Sequence, residues 1–262
     1  MHNGIVIVAV ILIIFLYYQY YYKYSYFNTT KTVICNGNTC EKYNVHKVHN
    51  DHEEAAKLMQ EITRRINILI DHLRGKYLNN HFQPSMDPMK NNRIDIIPGN
   101  SAYTKGFTAD SLFNVNKDIL GGHENDIKEI MKNEYVQERI RQLIDKYDKN
   151  NIYEISPLNA SGLTSYTQDK KTLIFCLRKK EPNAEGKNEL HDINILMFVV
   201  VHEISHMAGN EWGHPMSFWI LFKFLLENSV ECGIYRGIDY RKSPVNYCGL
   251  KLEWNPLYDL TV

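Results

Sequence analysis

Three residues in the run His202-Glu203-Ile-Ser-His206 have the types and the spacing that zinc chemistry uses. Residues four apart on an α-helix lie on one face, so the imidazoles of His202 and His206 can reach a single zinc ion. Glu203 lies one position further round the helix, where its carboxylate can reach a water on the metal. The pattern therefore predicts a zinc site of the kind that hydrolyses bonds.

The residues around this motif predict a buried helix. Asp192 is a candidate N-cap before Ile193, and Gly209 is a candidate C-terminal stop. The segment between them is apolar on both sides, which is typical of a helix inside a core. Two histidines and a glutamate at its end need partners, because unpaired buried polar groups are costly, and a metal supplies one. Two other interpretations remain: histidines hydrogen-bonded in the core, and a zinc site without catalysis.

A third metal ligand is expected from the segment after this helix. His214 follows a short loop that could bring its imidazole back to the metal. Apolar residues recur at helical spacing over 216–227 and predict a second buried helix, which would hold the loop against the first. A surface histidine is the alternative for His214. Carboxylates also complete catalytic zinc sites, and the rival ligands are Glu211, Glu227 and Glu231.

These segments together resemble a known group of enzymes, the WLM and SprT-like metallopeptidases, whose core is the zincin fold. The similarity is greatest to the WLM/SprT-like proteins of large eukaryotic DNA viruses. The motifs that carry the resemblance are His202-Glu203-x-x-His206, Gly213-His214 and Phe218-Trp219 at the start of the second helix.

The resemblance implies that His202, His206 and His214 bind zinc and that Glu203 is the general base for hydrolysis of a peptide bond. The spacing to the third histidine departs from related groups. It is longer than in metzincins, where position 212 would carry the histidine and where Trp212 stands in this chain. It is shorter than in the DNA-repair SprT-like proteases, whose DNA-binding elements are not evident in this sequence.

Length and charge exclude some classes of function. The chain has 262 residues, and its 30 lysines and arginines are balanced by 30 aspartates and glutamates. This length suits one domain of about two hundred residues with an appendage. No basic stripe interleaved with aromatic residues is present, so nucleic acid is not expected as a partner.

The N-terminal stretch 4–22 is apolar enough to predict a transmembrane anchor. It contains no charged residue, and its length is close to the roughly twenty residues that a helix needs to cross a bilayer core. Tyrosines at its C-terminal end fit the membrane interface. A basic start and a small-x-small cleavage site are missing, which argues against a cleaved signal peptide. We therefore expect a single-pass membrane protein, in a virion or in an internal membrane of the host, with a buried helix as a further alternative.

The side of the membrane on which the domain lies is left open by the sequence. Lys23 and Lys31 after the apolar stretch weakly favour the cytoplasmic side. On the other side, Asn28-Thr-Thr and Asn159-Ala-Ser would be glycosylation acceptors. The two signals point in opposite directions, so no orientation is predicted.

The five cysteines are an odd number, so at least one is a thiol or pairs between chains. Cys35 and Cys40 could form a small disulfide loop in an oxidising compartment. Cys176 lies in an apolar, strand-like run and Cys232 in a predicted helix, and both are expected to be buried thiols.

The whole chain predicts an α+β, zincin-like core with an active-site helix, a small sheet and additional packing helices behind the anchor. Residues 23–50 are predicted as a tether, and residues 51–262 as the zincin-like domain with a helical and loop-rich N-terminal extension. The apolar stripe from Glu53 to Tyr77 predicts an amphipathic helix, with a coiled coil as the alternative. Residues 79–123 are rich in proline and glycine and predict loops. The run Thr172 to Leu177 predicts the strand at the sheet edge, where a peptide could add as another strand.

Two classes of function follow from these features. The first is a membrane-anchored zinc metallopeptidase whose substrate is a peptide or a protein. The alternative is a catalytically silent zincin-fold protein with a structural or interaction role in a viral membrane. Candidate oxyanion donors are Tyr235, Tyr240 and Tyr247, and the carboxylates that could orient a ligand histidine are Glu227 and Glu231.

Overall fold

The parts of the chain that the structure describes form an α+β architecture in which helices pack against a five-stranded sheet. The computed structural model describes residues 10–17, 29–36, 39–46, 49–78, 133–155 and 164–259. The predicted fold class is confirmed at this level. The helices are α1 (His52–Leu73), α2 (Asn133–Lys146), α3 (Ile193–Ala208) and α4 (Met216–Glu231). The strands are β1 (Thr29–Asn36), β2 (Thr39–His46), β3 (Ile152–Glu154), β4 (Ser165–Gln168), β5 (Thr172–Phe175), β6 (Val245–Tyr247) and β7 (Leu250–Leu252).

The order of strands in the main sheet is β1-β2-β3-β5-β4. The pairs β1/β2 and β4/β5 are antiparallel, whereas β2/β3 and β3/β5 are parallel. Strands β6 and β7 form a separate antiparallel pair near the C-terminus. The sheet therefore joins two local hairpins through strands that are distant in sequence.

Residues 29–36 and 39–46 form two paired strands of this sheet, so the prediction of a tether over 23–50 is wrong for these residues. The register of β1 and β2 brings Thr29 opposite His46, and Asn44 of β2 lies opposite Tyr153 of β3. The Asn44 side chain donates to the carbonyl oxygen of Ile152 at 2.9 Å. The strands were not predicted because β2 is stabilised by partners more than a hundred residues away in the sequence. Its few apolar positions also form no long periodic pattern.

The edge strand next to α3 is β4, and the prediction that the run from Thr172 forms the edge is wrong. Strand β5 lies between β3 and β4, and its Leu173, Ile174 and Phe175 are buried. Strands with both faces covered are near-continuously apolar, which explains why β5 was the more visible strand in the sequence. β4 pairs with β5 on one side and has no strand on its other side within the described residues.

Helix α1 is amphipathic, as predicted, and packs on the domain. Its apolar face is buried against β1, β2, α3 and α4. Met59, Ile62 and Ile66 on this face are fully buried. Its stripe is therefore part of the core rather than a coiled-coil seam.

A buried ion pair connects the sheet to the start of α1. Arg178, just after β5, donates from Nε to Glu154 Oε1 at 2.8 Å and from a terminal nitrogen to Asp51 Oδ2 at 2.6 Å. Glu154 also accepts a hydrogen bond from the backbone N–H of His46. These contacts pair the buried charges and fix the ends of β2, β3 and β5 relative to one another.

Two disulfides are present. Cys35 and Cys40 pair across the β1–β2 hairpin, and Cys176 pairs with Cys248 across 72 residues. The expectation that Cys176 is a buried thiol is therefore wrong, because Cys248 is its neighbour only after folding. Cys232 at the end of α4 is a thiol, as expected, but it is half-buried rather than buried.

The predicted anchor 4–22 lies partly outside the described residues. Residues 10–17 are helical, and their apolar side chains are exposed. Among the described residues, none of the helices combines the length and the apolarity that crossing a membrane requires. The predicted loops over 79–123 and the sequons at Asn28 and Asn159 also lie outside the described residues.

Candidate metal centre

Helix α3 brings His202, Glu203 and His206 to one place, as their spacing predicted. The Asp192 side chain caps the helix by accepting a hydrogen bond from the backbone N–H of Asn194 at 2.8 Å. The helix ends at Gly209, whose N–H donates to the carbonyl oxygen of Ser205. Most of α3 is buried against α2, α4 and the sheet. The core therefore holds the motif rigidly in the last two turns of the helix.

His214 reaches the same place from the loop between α3 and α4. Gly213 adopts a positive φ of 74°, which favours glycine and reverses the chain just before His214. Pro215 follows, and α4 begins at Met216. This turn directs the His214 imidazole back towards α3.

The three imidazoles converge on one point. The Nε2 atom of His214 lies 3.1 Å from that of His206 and 3.1 Å from that of His202. One ligand nitrogen from each ring lies within 4.8 Å of the others. Zinc–nitrogen bonds of about 2.0–2.1 Å in a tetrahedral site put two ligand nitrogens roughly 3.3 Å apart. The donor set and its spacing therefore fit a zinc ion held by three histidines.

Aromatic side chains of α4 fix the three rings. His206 stacks on Phe218, with ring centroids 4.3 Å apart. His214 stacks on Trp219 at 5.2 Å, and His202 meets the edge of Phe222 at 5.2 Å. The aromatic side chains of α4 therefore restrict the orientation of all three imidazole rings.

The electrostatics of the cluster favour neutral imidazoles. Burial, followed by repulsion from the other two histidines, lowers the pKa of His202 to about 3. Burial is also the main reason why the pKa of His206 falls to about 4 and why that of His214 is lowered. Neutral imidazoles carry the free lone pairs that a metal needs.

Glu203 is buried next to this cluster and is held by the edge strand. Its carboxylate Oε2 lies 2.8 Å from the hydroxyl of Thr167 in β4. Burial raises the pKa of Glu203 to about 7, and the Thr167 hydrogen bond opposes that rise. A carboxylate that exchanges its proton near neutral pH is suited to act as a general base.

The rival carboxylate ligands lie elsewhere. Glu211 accepts a hydrogen bond from the backbone N–H of Asn210, and Glu231 pairs with Lys76. Glu227 lies half-buried on α4, where Lys223 and Lys76 are its charged neighbours. Among the described residues, the cluster of possible metal ligands consists of the three histidines. No hydrogen bond in the described part of the chain joins Glu227 or Glu231 to a ligand histidine, so their predicted orienting role has no support.

The three candidate oxyanion donors are buried side chains. The Tyr247 hydroxyl contacts the Ser165 hydroxyl, and the Tyr235 hydroxyl accepts a hydrogen bond from Asn255 at 3.0 Å. Tyr240 packs its ring edge-on against Phe198. The first two therefore already have structural partners.

Two residues near the centre were not expected from the sequence. Thr167 contacts Glu203, and Lys170 contacts the loop that carries His214. Both lie in the β4–β5 hairpin, whose second strand was the one that the apolar pattern revealed. A turn at Asp169–Lys170 could have revealed the hairpin in the sequence. The turn contains neither glycine nor asparagine, which usually mark such turns, so the sequence did not predict it.

The comparisons with known proteins relate the chain to uncharacterised viral proteins. An uncharacterised protein of Acanthamoeba polyphaga mimivirus is 36% identical over 115 residues, which cover 44% of this chain and 55% of that relative. An uncharacterised protein of Invertebrate iridescent virus 6 is 38% identical over 88 residues, or 33% of this chain and 46% of the relative. One of Invertebrate iridescent virus 3 is 37% identical over 87 residues, or 33% and 50%.

The chain spans about half the length of the curated relatives it matches. No family model matches it. No solved structure matches it. The similarity therefore relates the chain to viral proteins and assigns it no activity.

Proposed function

We propose that this protein is a zinc-dependent metallopeptidase of the zincin type, resembling the WLM and SprT-like enzymes. The observation that carries the proposal is the convergence of three imidazole nitrogens, 3.1 Å apart in two pairs, together with the buried carboxylate of Glu203 on the helix that bears two of the three histidines. A structural zinc site is usually closed by a fourth protein ligand, whereas a catalytic site keeps one position open. Three histidines without a fourth ligand among the described residues favour the catalytic kind.

Each residue of the centre has a role in this proposal. His202, His206 and His214 would hold the zinc ion, and Phe218, Trp219 and Phe222 fix their rings. When bound, zinc supplies Lewis acidity, which polarises the scissile carbonyl group and makes water a nucleophile near neutral pH.

Glu203 would take the proton of the attacking water and deliver it to the leaving amine. Its pKa of about 7 suits both steps, because the carboxyl group can accept and release a proton near neutral pH. Thr167 keeps the carboxylate in place. The Glu203 side chain is buried, which leaves it few alternative positions.

A peptide or protein is the substrate class that the edge strand favours. β4 has an open side within the described residues, and it packs against the helix that bears Glu203. An extended peptide can pair with such an edge through main-chain hydrogen bonds. We propose that the substrate adds to β4 and thereby passes the metal centre.

We also propose that residues 4–22 anchor the enzyme in a membrane of a virion or of the host. The absence of charge over this stretch and the exposed apolar side chains of residues 10–17 support the anchor. The viral origin of the relatives supports the setting.

The proposal is tested on the full-length chain, purified in detergent, by metal analysis together with cleavage of a mixed peptide library. We expect one zinc per chain and cleavage by the wild type. Glu203→Gln should retain zinc and lose cleavage, whereas Glu253→Gln, an exposed glutamate paired with Lys251, should behave as the wild type. Absence of zinc from the wild type would contradict the proposal. Zinc without cleavage would instead favour the silent zincin-fold protein of a viral membrane.

A further inference from the structure

The turn between β4 and β5 has an unusual backbone for its residues. Asp169 and Lys170 both adopt positive φ, at 50° and 54°. The backbone N–H of Lys171 donates to the carbonyl oxygen of Gln168 at 3.0 Å and closes the turn. Two consecutive positive φ angles define the hairpin turn that glycine and asparagine normally occupy, because a Cβ is disfavoured there. The lysine in the second position therefore adopts a backbone conformation that a residue with a Cβ disfavours.

The Lys170 side chain binds the loop between α3 and α4. Its Nζ donates to the carbonyl oxygen of Gly209 at 2.7 Å and to that of Glu211 at 3.0 Å. The same ammonium lies 5.5 Å from the centroid of the Trp212 ring, within the range of a cation–π contact. The Lys170 ammonium thus contacts three residues of the loop, Gly209, Glu211 and Trp212.

The loop that Lys170 holds is the one that carries His214. His202 and His206 are positioned by the hydrogen bonds of a buried helix, whereas His214 is exposed and depends on the loop for its position. The carbonyl groups at the end of α3 need donors from outside the helix. Lys146 of α2 donates to Met207 at 2.8 Å, and Lys170 donates to Gly209 and, further on, to Glu211. Lys170 therefore contacts both the end of α3 and the loop that follows it.

We propose that Lys170 is a positioning residue for the third metal ligand: it ties the α3–α4 loop to the β4–β5 turn and so presents His214 to the metal. The proposal rests on the proposed metal site, but not on peptidase activity. It also makes the β4–β5 hairpin a common support, since Thr167 of the same hairpin holds Glu203. The hairpin would align the base and the third ligand together.

The first test measures zinc affinity of the full-length chain by competition with a chromophoric chelator. Lys170→Gly removes the tether while it relieves the backbone of the turn, so a merely structural role predicts equal or better folding and unchanged zinc affinity. We expect instead that zinc affinity falls about tenfold, as is typical when a group that orients a ligand is lost. Asp169→Gly relieves the same turn without removing the tether and should leave zinc affinity within twofold. Lys170→Arg, which also carries donors, should recover most of the loss.

The second test repeats the Lys170→Gly substitution in a His214→Ala background. If Lys170 acts through His214, its removal should no longer change zinc affinity there, and the two substitutions will be strongly coupled. An equal tenfold loss in both backgrounds, or no loss in either, would overturn the proposal. A wild type that binds no zinc would overturn both proposals. A wild type that binds zinc tightly but cleaves no peptide would remove only the peptidase.

Discussion

The candidate metal centre is built from two regions that differ in how the rest of the protein holds them. Helix α3 supplies His202, Glu203 and His206 from consecutive turns, and its own hydrogen bonds and burial set their relative positions. The α3–α4 loop supplies His214, which is exposed and depends on contacts with α4 and with the β4–β5 turn. The helical half is defined by residues close in sequence, whereas the loop half is defined by residues brought together only by folding.

This difference assigns different tasks to the two halves. In the proposed enzyme, the two histidines and Glu203 on the buried helix form a rigid part of the site that exists before the metal binds. A loop ligand with a tether to the hairpin can adjust, and its position depends on the edge strand that we propose binds the substrate. The β4–β5 hairpin contacts both Glu203 and the α3–α4 loop, so the strand that we propose binds the substrate also supports the loop that bears His214.

The largest effect on zinc affinity is expected when one proposed ligand is removed from either half, which compares the two halves directly. Structural zinc sites bind with about 10–16 kcal/mol, so loss of one of three ligands should reduce zinc affinity about a thousandfold, and we expect this for His202→Ala. His214→Ala should cost about tenfold less, because Lys170 holds only the first part of the loop and ordering a further residue opposes binding by about 1–2 kcal/mol. Chelator competition with both variants measures the difference. An equal or greater loss for His214→Ala would show that the loop is as rigid as the helix.

The two disulfides sharpen the same contrast between local and distant contacts. Cys176–Cys248 closes a separation of 72 residues and Cys35–Cys40 one of 5. The loop-closure model gives about 4 kcal/mol for the long loop and about 2 kcal/mol for the short one. Replacing Cys176 and Cys248 by alanine should lower the free energy of unfolding by about twice as much as replacing Cys35 and Cys40. Urea denaturation of the two double variants checks the order, and a larger loss from the short loop would reverse it.

How much could be predicted from the sequence follows the same division. The features of α3 depend on residues at most a few turns apart, so periodicity reveals them. These features are its cap at Asp192, its end at Gly209 and the face shared by His202 and His206. The participation of His214 was expected because a second apolar helix follows it and because the resemblance to WLM and SprT-like metallopeptidases implies it. Other contacts join residues that are distant in sequence and belong to no recognisable motif. They are the pairing of β2 with β3, the disulfide from Cys176 to Cys248 and the hydrogen bond from Lys170 to Gly209. Nothing in the local pattern marks such partners, so these features became visible only in the fold.

The smallest expected effect contrasts two glutamates, the buried Glu203 of the candidate metal centre and the half-buried Glu227 of α4. Burial raises the pKa of Glu227 to about 7, and the partial opposition of Lys223 and Lys76 does not restore its usual range. A carboxyl group whose pKa is higher in the folded state binds its proton more tightly there. Its contribution therefore favours folding below the unfolded pKa of about 4.5 and is lost as the pH rises through about 7.

The substitution Glu227→Gln should therefore leave stability nearly unchanged at pH 4.5 and raise it at pH 8, by about 3 kcal/mol if the full shift applies. Urea denaturation of the variant and the wild type at both pH values gives the difference, and subtraction removes groups that titrate in both proteins. Zinc affinity at pH 8 should stay within twofold, because Glu227 lies outside the cluster of ligand histidines. A stability difference that is independent of pH would mean that Glu227 is not buried as a costly charge. A large loss of zinc affinity would return Glu227 to the metal centre, and the helical half of the site would then include α4.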